Sequence, residues 1–202
     1  MRKLKIFLLL ISFSYCALAQ KPFKQELYWA IWHPIAALKV KKIHKRVLIV
    51  YNKSDTKLLL DNYGNGGKLD AFRHVFFMSA FSQKIKVKKL RKLGIAHEKG
   101  NYHQFLKLGT ENGEVPDSLG SVMDLSNNEL GFKIGLENKK KTLEELKEEV
   151  IKEIKEGKAI VMKRKKTGAY VDCNNKIIDL ELYKGKWFVP KCLVPSDFSY
   201  ID

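Results

Sequence analysis

The sequence is poor in the residues and motifs that mark several common classes of enzyme. Three cysteines occur in 202 residues, and none form a C-x-x-C pair, which excludes the zinc and redox motifs built on that pair. Asn101 stands four positions after His97, so the H-E-x-x-H zinc motif is absent. No G-x-S-x-G nucleophile elbow occurs, and no cysteine lies near the polar motifs described below. These absences disfavour a covalent mechanism.

Only one apolar segment has the position and flanks of a targeting signal. Met1–Lys5 is basic, residues 6–19 are apolar, and Ala17-Leu18-Ala19 precedes Gln20. This pattern is typical of a secretory signal peptide cleaved near Ala19, and the apolar run is shorter than the ~20 residues that span a bilayer. Residues 1–19 are therefore expected to be removed, and the mature protein is expected to be secreted or periplasmic, without a transmembrane segment.

Positive charge is abundant, but arginine is scarce. The chain carries a net charge of +16, and removal of Arg2, Lys3 and Lys5 with the leader leaves +13. The four remaining arginines are Arg46, Arg73, Arg91 and Arg164. Specific nucleic-acid readers depend on arginine forks, so such binding is not expected, whereas an anionic envelope polymer or a lipid surface remains a possible partner.

The rest of the chain predicts a mainly α fold in two parts. Residues 20–140 are expected to form a compact helical domain around one buried helix. Residues 141–202 are expected to form an amphipathic helix, capped by Thr142 and ended by Gly157, followed by a small antiparallel β appendage. Short β-rich runs at 159–162, 169–173, 177–180 and 187–189 supply the strands. Residues 47–51 fit a strand or a helical turn equally well. Cys173 and Cys192 are expected to form a disulfide.

The buried helix is unusual because it carries three ionisable groups on one face. Asp70, Arg73 and His74 stand at positions i, i+3 and i+4. Nearly all the other side chains around it are apolar: Leu69, Phe72, Val75, Phe76, Phe77, Met78, Ala80 and Phe81. A helix that is apolar all round is a buried one, and buried charges need partners.

Two further polar groups are expected to supply those partners. His97 and Glu98 follow a basic amphipathic stretch, and Asp124 opens a second trio with the same i, i+3, i+4 spacing, completed by Asn127 and Asn128. A capping-box pattern predicts that this second helix begins at Ser121. Gly131 and Gly135 allow close approach to another helix or mark the helix end.

Together these eight residues are the candidate catalytic set: Asp70, Arg73, His74, His97, Glu98, Asp124, Asn127 and Asn128. In one hypothesis His74, His97 and Asp124 bind a divalent metal such as zinc, with Glu98 or Asp70 as a base and Arg73 as an anion clamp. A second hypothesis has no metal, and a histidine acts as the general base. In a third, the residues form a buried structural network.

These residues resemble the signature of a family of secreted bacterial proteins catalogued as a domain of unknown function. The signature comprises a Gly-Asn-rich approach, an [N/D]-A-F-R-H helix, a later H-E, and an M-D-x-x-N-N-x-x-G helix. Here it reads Gly64–Gly66, Asp70–His74, His97-Glu98 and Met123–Gly131. The similarity covers about residues 29–136, leaves 142–202 outside, and implies a helical extracytoplasmic domain whose polar groups form one site. It implies no particular reaction.

The functional hypothesis is therefore a hydrolase-like enzyme, with or without a bound metal, acting on an envelope or extracellular substrate. The alternative is a non-catalytic binding or structural module.

Overall fold

The architecture was determined from a computed structural model that describes residues 22–53, 60–109 and 117–202. The expected leader, residues 1–19, lies outside the described residues. In chain order the elements are α1 (Lys24–Trp32), α2 (Pro34–Tyr51), α3 (Lys68–Ser82), α4 (Val87–Leu108), α5 (Ser118–Glu137), α6 (Leu143–Lys155), β1 (Ile160–Met162), a 3₁₀ helix (Leu180–Tyr183) and β2 (Leu193–Pro195). The prediction of a mainly α fold with a small antiparallel sheet is confirmed.

The helix α3 lies at the centre, as its composition predicts. Ala71, Phe72, Val75 and Phe76 are fully buried in the largest core cluster, which also takes side chains from α2, α5, α6 and β1. Thr142 caps α6 through a capping box with Glu145, as its sequence indicates. Side chains of α6 share the core of α3, and the division of the chain at residue 140 stays a prediction.

Two glycines allow α3 and α5 to cross at very short range. A Cβ on Gly131 would stand 2.5 Å from the carbonyl oxygen of Val75, and a Cβ on Gly135 would stand 2.1 Å from that of Ser79. Real side chains never approach backbone so closely, so glycine is required at both positions. Of the two roles predicted for Gly131 and Gly135, close approach to another helix is the correct one. This approach brings the polar residues of α5 against those of α3.

Several local predictions differ from the structure. The second trio's helix begins at Ser118 rather than Ser121, because the Asp117 side chain accepts a hydrogen bond from Leu119 N and provides the cap. Residues 47–51 continue α2 as a helix. In the C-terminal segment only β1 and β2 pair as strands, with Val161 opposite Val194. The runs at 169–173 and 177–180 contribute isolated bridges, and no bridge or strand falls on 187–189.

The C-terminal segment packs onto the loop that leads into α3. Cys173 and Cys192 form a disulfide, with Cα atoms 4.9 Å apart. The Arg164 guanidinium lies between the rings of Tyr63 and Tyr170, 4.4 and 3.8 Å from their centroids, and donates to the carbonyl oxygen of Asn65. The segment therefore supports the residues that precede Asp70.

No helix within the described ranges is both long and apolar enough to cross a bilayer.

Candidate functional site

The loop before α3 positions Asp70 through a series of backbone hydrogen bonds. Gly66 has a left-handed conformation (φ +71°), which lets its amide donate to Asp70 Oδ2 at 2.7 Å. Its carbonyl oxygen accepts from the amide of Met162 in β1 at 2.7 Å. The Asp61 side chain accepts from the amides of Lys68 and Leu69 at the start of α3. Strand β1 and the loop thus fix the first carboxylate of the site.

Three potential metal ligands converge where α3 faces α5. Asp70, His74 and Asp124 each offer one donor atom, and these atoms lie within 4.8 Å of one another. His74 Nε2 is 3.2 Å from Asp124 Oδ2 and 3.7 Å from Asp70 Oδ1. The side chains of Asp70, His74 and Asp124 are only 3, 9 and 14% exposed. The spacing of Asp70 and His74 by one helical turn is what places both on this face.

The other nitrogen of the His74 ring faces an amide. His74 Nδ1 lies 3.3 Å from Asn128 Oδ1, an acceptor, so the geometry favours the tautomer with its proton on Nδ1. The lone pair of Nε2 then points toward two carboxylates. A lone pair facing carboxylate oxygens at this range is repulsive unless a cation or a proton lies between them.

Arg73 supplies one such cation. Its Nη2 donates to Asp70 Oδ1 at 2.6 Å and lies 3.2 Å from His74 Nε2. Its side chain is 46% exposed, in contrast to the buried groups that it contacts. Burial lowers the pKa of Arg73, but the charges of Asp70 and Asp124 outweigh that effect and raise it. Burial, reinforced by the charge of Arg73, holds the pKa of His74 well below its usual value, so the ring is neutral at neutral pH.

His97 is not one of the converging ligands. Its Nδ1 lies 2.9 Å from Glu26 Oε1 on α1, and its ring packs against Phe23. Burial lowers the pKa of His97, but the hydrogen bond to Glu26 and the charge of Glu98 outweigh it and raise the pKa. Of the predicted ligand set, the structure therefore brings His74 and Asp124 together, and among the described residues Asp70 rather than His97 lies with them.

Glu98 is buried beside this group. Ser121 Oγ and Asn101 Nδ2 both donate to Glu98 Oε2, at 2.7 and 3.3 Å, whereas Oε1 has no hydrogen-bond partner among the described residues. Burial raises the pKa of Glu98, and the charge of Asp70 adds to the effect. Sequence reasoning missed Ser121 as a Glu98 partner, having assigned it to a helix cap.

Asn127 and Asn128 have different partners although they are adjacent. The Asn127 amide exchanges two hydrogen bonds of 2.9 Å with the backbone of Ile160 in β1, and its side chain is buried. Asn127 therefore joins α5 to the sheet and does not reach the three donors. Of the two predicted site residues, the structure therefore places Asn128 in contact with His74 and directs Asn127 to the sheet.

Asn128 and Gly94 line a surface depression of about 310 Å³, and the amide nitrogen of Asn128 faces Gly94. Its charged walls, Arg91 and Glu129, pair with each other at 2.7 Å. None of the three converging donors lines it, so the depression is not the centre of the site.

The chain belongs to a protein family described as "Domain of unknown function (DUF6973)", whose family model matches residues 27–158. The match covers the three elements that carry the polar groups. It also includes α6, which the sequence resemblance left outside. No curated protein and no solved structure matches the chain.

Proposed function

We propose that Asp70, His74 and Asp124 bind a divalent metal ion and that the protein is a metal-assisted hydrolase. The observation that carries the proposal is the spacing of the donors. Two ligands that each lie ~2.1 Å from a tetrahedral metal are about 3.4 Å apart. The His74 Nε2 distances to Asp124 Oδ2 and Asp70 Oδ1, 3.2 and 3.7 Å, lie on either side of that value.

The second contact of His74 supports the same assignment. Metal-binding histidines commonly donate their other ring N–H to an oxygen acceptor, which fixes the ring and the tautomer. Asn128 Oδ1 is in that position. Three protein ligands leave a coordination position for water, which is the arrangement of catalytic rather than structural sites.

Arg73 and Glu98 have complementary roles in this proposal. Arg73 is half-exposed, so it can leave Asp70 when a metal binds and hold an anionic group of the substrate. Glu98 is a buried carboxyl group with one unpartnered oxygen among the described residues, which suits a proton acceptor beside a metal-bound water. The expected leader at residues 1–19 would place the substrate in the envelope or outside the cell.

Metal content distinguishes this proposal from its alternatives. The protein is purified without a histidine tag, equilibrated with zinc or manganese, desalted, and analysed by elemental mass spectrometry. We expect about one equivalent of bound metal in the wild type and at least tenfold less bound metal in Asp124→Asn. His97→Gln is the matched control, because it removes a histidine that contacts Glu26 instead of the donors.

Hydrolysis of phosphoester, ester and amide model substrates is then measured with and without the bound metal. Two results together would support the whole proposal: turnover that depends on the metal, and an Arg73→Met variant that hydrolyses anionic substrates more slowly but neutral substrates at the wild-type rate. Equal metal content in the wild type and Asp124→Asn would refute it.

A non-catalytic module is the second candidate, and the position of Arg73 favours it. Arg73 Nη2 already donates to Asp70 and reaches His74 Nε2, so the cation that the carboxylates need is present in the chain itself. This candidate predicts no metal in any sample and strong destabilisation of Arg73→Met.

A further inference from the structure

The densest run of exposed large apolar side chains among the described residues lies on α1 and the start of α2. We call it the α1–α2 surface. Trp32 is 79% exposed and Ile35 is 71% exposed, and the others are between 45 and 70% exposed. The side chains of this surface are Leu27, Tyr28, Ile31, Trp32, Ile35 and Leu38. Single exposed apolar side chains are ordinary, but a contiguous group of this size marks an interaction site.

Folding does not account for this surface, because the opposite face of α1 makes the contacts with the domain. Phe23 fills the space above Gly100, where a Cβ would stand 2.2 Å from the Phe23 ring. Glu26 pairs with His97, and the indole nitrogen of Trp29 donates to the carbonyl oxygen of Lys89 at 2.9 Å. α1 is therefore fixed by residues 23, 26 and 29, and its outer face is left open.

The charges around the α1–α2 surface have one sign. Every exposed charged side chain between residues 22 and 52 is cationic. Glu26, which is the one acidic residue in this range, is directed inward to His97. The exposed cations are Lys24, Lys39, Lys42, Lys45 and Arg46.

We propose that the α1–α2 surface docks on an anionic lipid bilayer. Tryptophan and tyrosine prefer the interfacial zone of a membrane, and aliphatic side chains such as Ile31 and Ile35 add apolar area there. Lysine and arginine beside them are attracted to anionic headgroups while their stems extend along apolar surface. The composition of this surface combines these features.

A second copy of the chain is a poorer occupant. Symmetric pairing through the same surface would bring the cations of both copies together, and like charges across an interface oppose association. An anionic bilayer instead complements them, and the proposal does not depend on the metal site.

Binding to vesicles tests the proposal. The full chain is expressed, and the purified protein, with the same N-terminus in all variants, is cosedimented with vesicles of phosphatidylglycerol and phosphatidylcholine or of phosphatidylcholine alone. We expect binding to the anionic vesicles, weakening as salt is raised, and at least tenfold weaker partitioning of an Ile31→Ser, Trp32→Ser, Ile35→Ser variant. The matched control replaces side chains of comparable exposure in the C-terminal segment: Ile177→Ser, Leu182→Ser and Phe188→Ser.

Tryptophan fluorescence gives a second readout. Trp32 is exposed, Trp29 is buried, and Trp187 packs against Tyr102 and Phe105 outside this surface. A blue shift on adding anionic vesicles is therefore expected from Trp32, and Trp32→Phe, which keeps Trp29 and Trp187, should abolish the shift while binding persists. Circular dichroism verifies that each variant is folded. Equal partitioning of the triple variant and the wild type would overturn the proposal, as would equal binding to both kinds of vesicle. Wild-type self-association that the triple variant loses, without vesicle binding, would assign the surface to a second copy instead.

Discussion

The adjacent residues Asn127 and Asn128 provide the most discriminating test of the proposed site, because the structure gives them different hydrogen-bond partners. Asn127 makes two hydrogen bonds of 2.9 Å to Ile160 and is 1% exposed. Asn127→Ala leaves the partly buried N–H and C=O of Ile160 without these partners. At ~1–2 kcal/mol for each group, the free energy of unfolding should fall by about 2–4 kcal/mol.

Asn128→Ala should have the opposite profile. It removes the acceptor that orients the His74 ring, and losses of this kind weaken metal binding by about 10- to 100-fold. Its hydrogen bond to His74 is a single contact of 3.3 Å, so the loss of stability in the absence of metal should be smaller than for Asn127→Ala.

Both quantities are measured on both variants. Urea unfolding in the presence of a chelator gives the stability of the metal-free protein, and titration calorimetry with zinc gives the affinity. Substitution of two neighbouring asparagines by alanine changes the helix propensity of α5 equally, so each variant is a control for the other. If Asn127→Ala loses metal affinity while retaining its stability, the assignment of both residues is wrong.

Two further outcomes follow from named contacts. The hydrogen bond to Glu26 raises the pKa of His97 in the fold, so the contribution of His97 to stability is fully present below about pH 6.5 and is lost as pH rises through the folded value. In urea unfolding, the difference in the free energy of unfolding between wild type and His97→Gln should therefore be larger at pH 5.5 than at pH 8.5. A difference that grows with pH would contradict this. Gly135→Ala should lower the free energy of unfolding by several kcal/mol, because its Cβ would stand 2.1 Å from the backbone of Ser79. The control is Gly120→Ala, whose Cβ would stand 3.6 Å from its nearest neighbour and should not destabilise the protein. Equal melting temperatures for the two variants would refute the close crossing of α3 and α5.

Much of the site follows from helical spacing, and the part that does not follow depends on how helices are rotated. Asp70 and His74 share a face because four residues make about one turn, and the structure has them together. Adjacent residues differ by about 100° around a helix, so one of two neighbours is usually directed elsewhere. Asn127 is one such case, since it bonds to Ile160 while its neighbour Asn128 contacts His74. His97 is another, since its ring nitrogen is directed to Glu26.

Sequence reasoning considered Asp70 a base or an orienting acid and did not predict that its carboxylate lies in one group with His74 and Asp124. Its role depends on the carbonyl and amide of Gly66 and on a strand 90 or more residues further along the chain. Local periodicity carries no information about such a contact. The number of strands in the C-terminal segment was likewise overestimated. Alternating β-branched residues favour extended backbone, but they do not by themselves provide a neighbouring strand to pair with.

The two backbone hydrogen bonds of Gly66, to Asp70 and from Met162, show that the matched family segment and the structural unit of the site end at different residues. The segment matched by the family, residues 27–158, contains Asp70, His74 and Asp124. It ends before Met162, whose amide holds the Gly66 carbonyl, and before Arg164, which holds Asn65. A chain cut at residue 158 would keep Asp70, His74 and Asp124 and would lose the contacts that hold the loop before Asp70. In this protein, the unit that sequence similarity recognises is shorter than the unit that sets the geometry of the site.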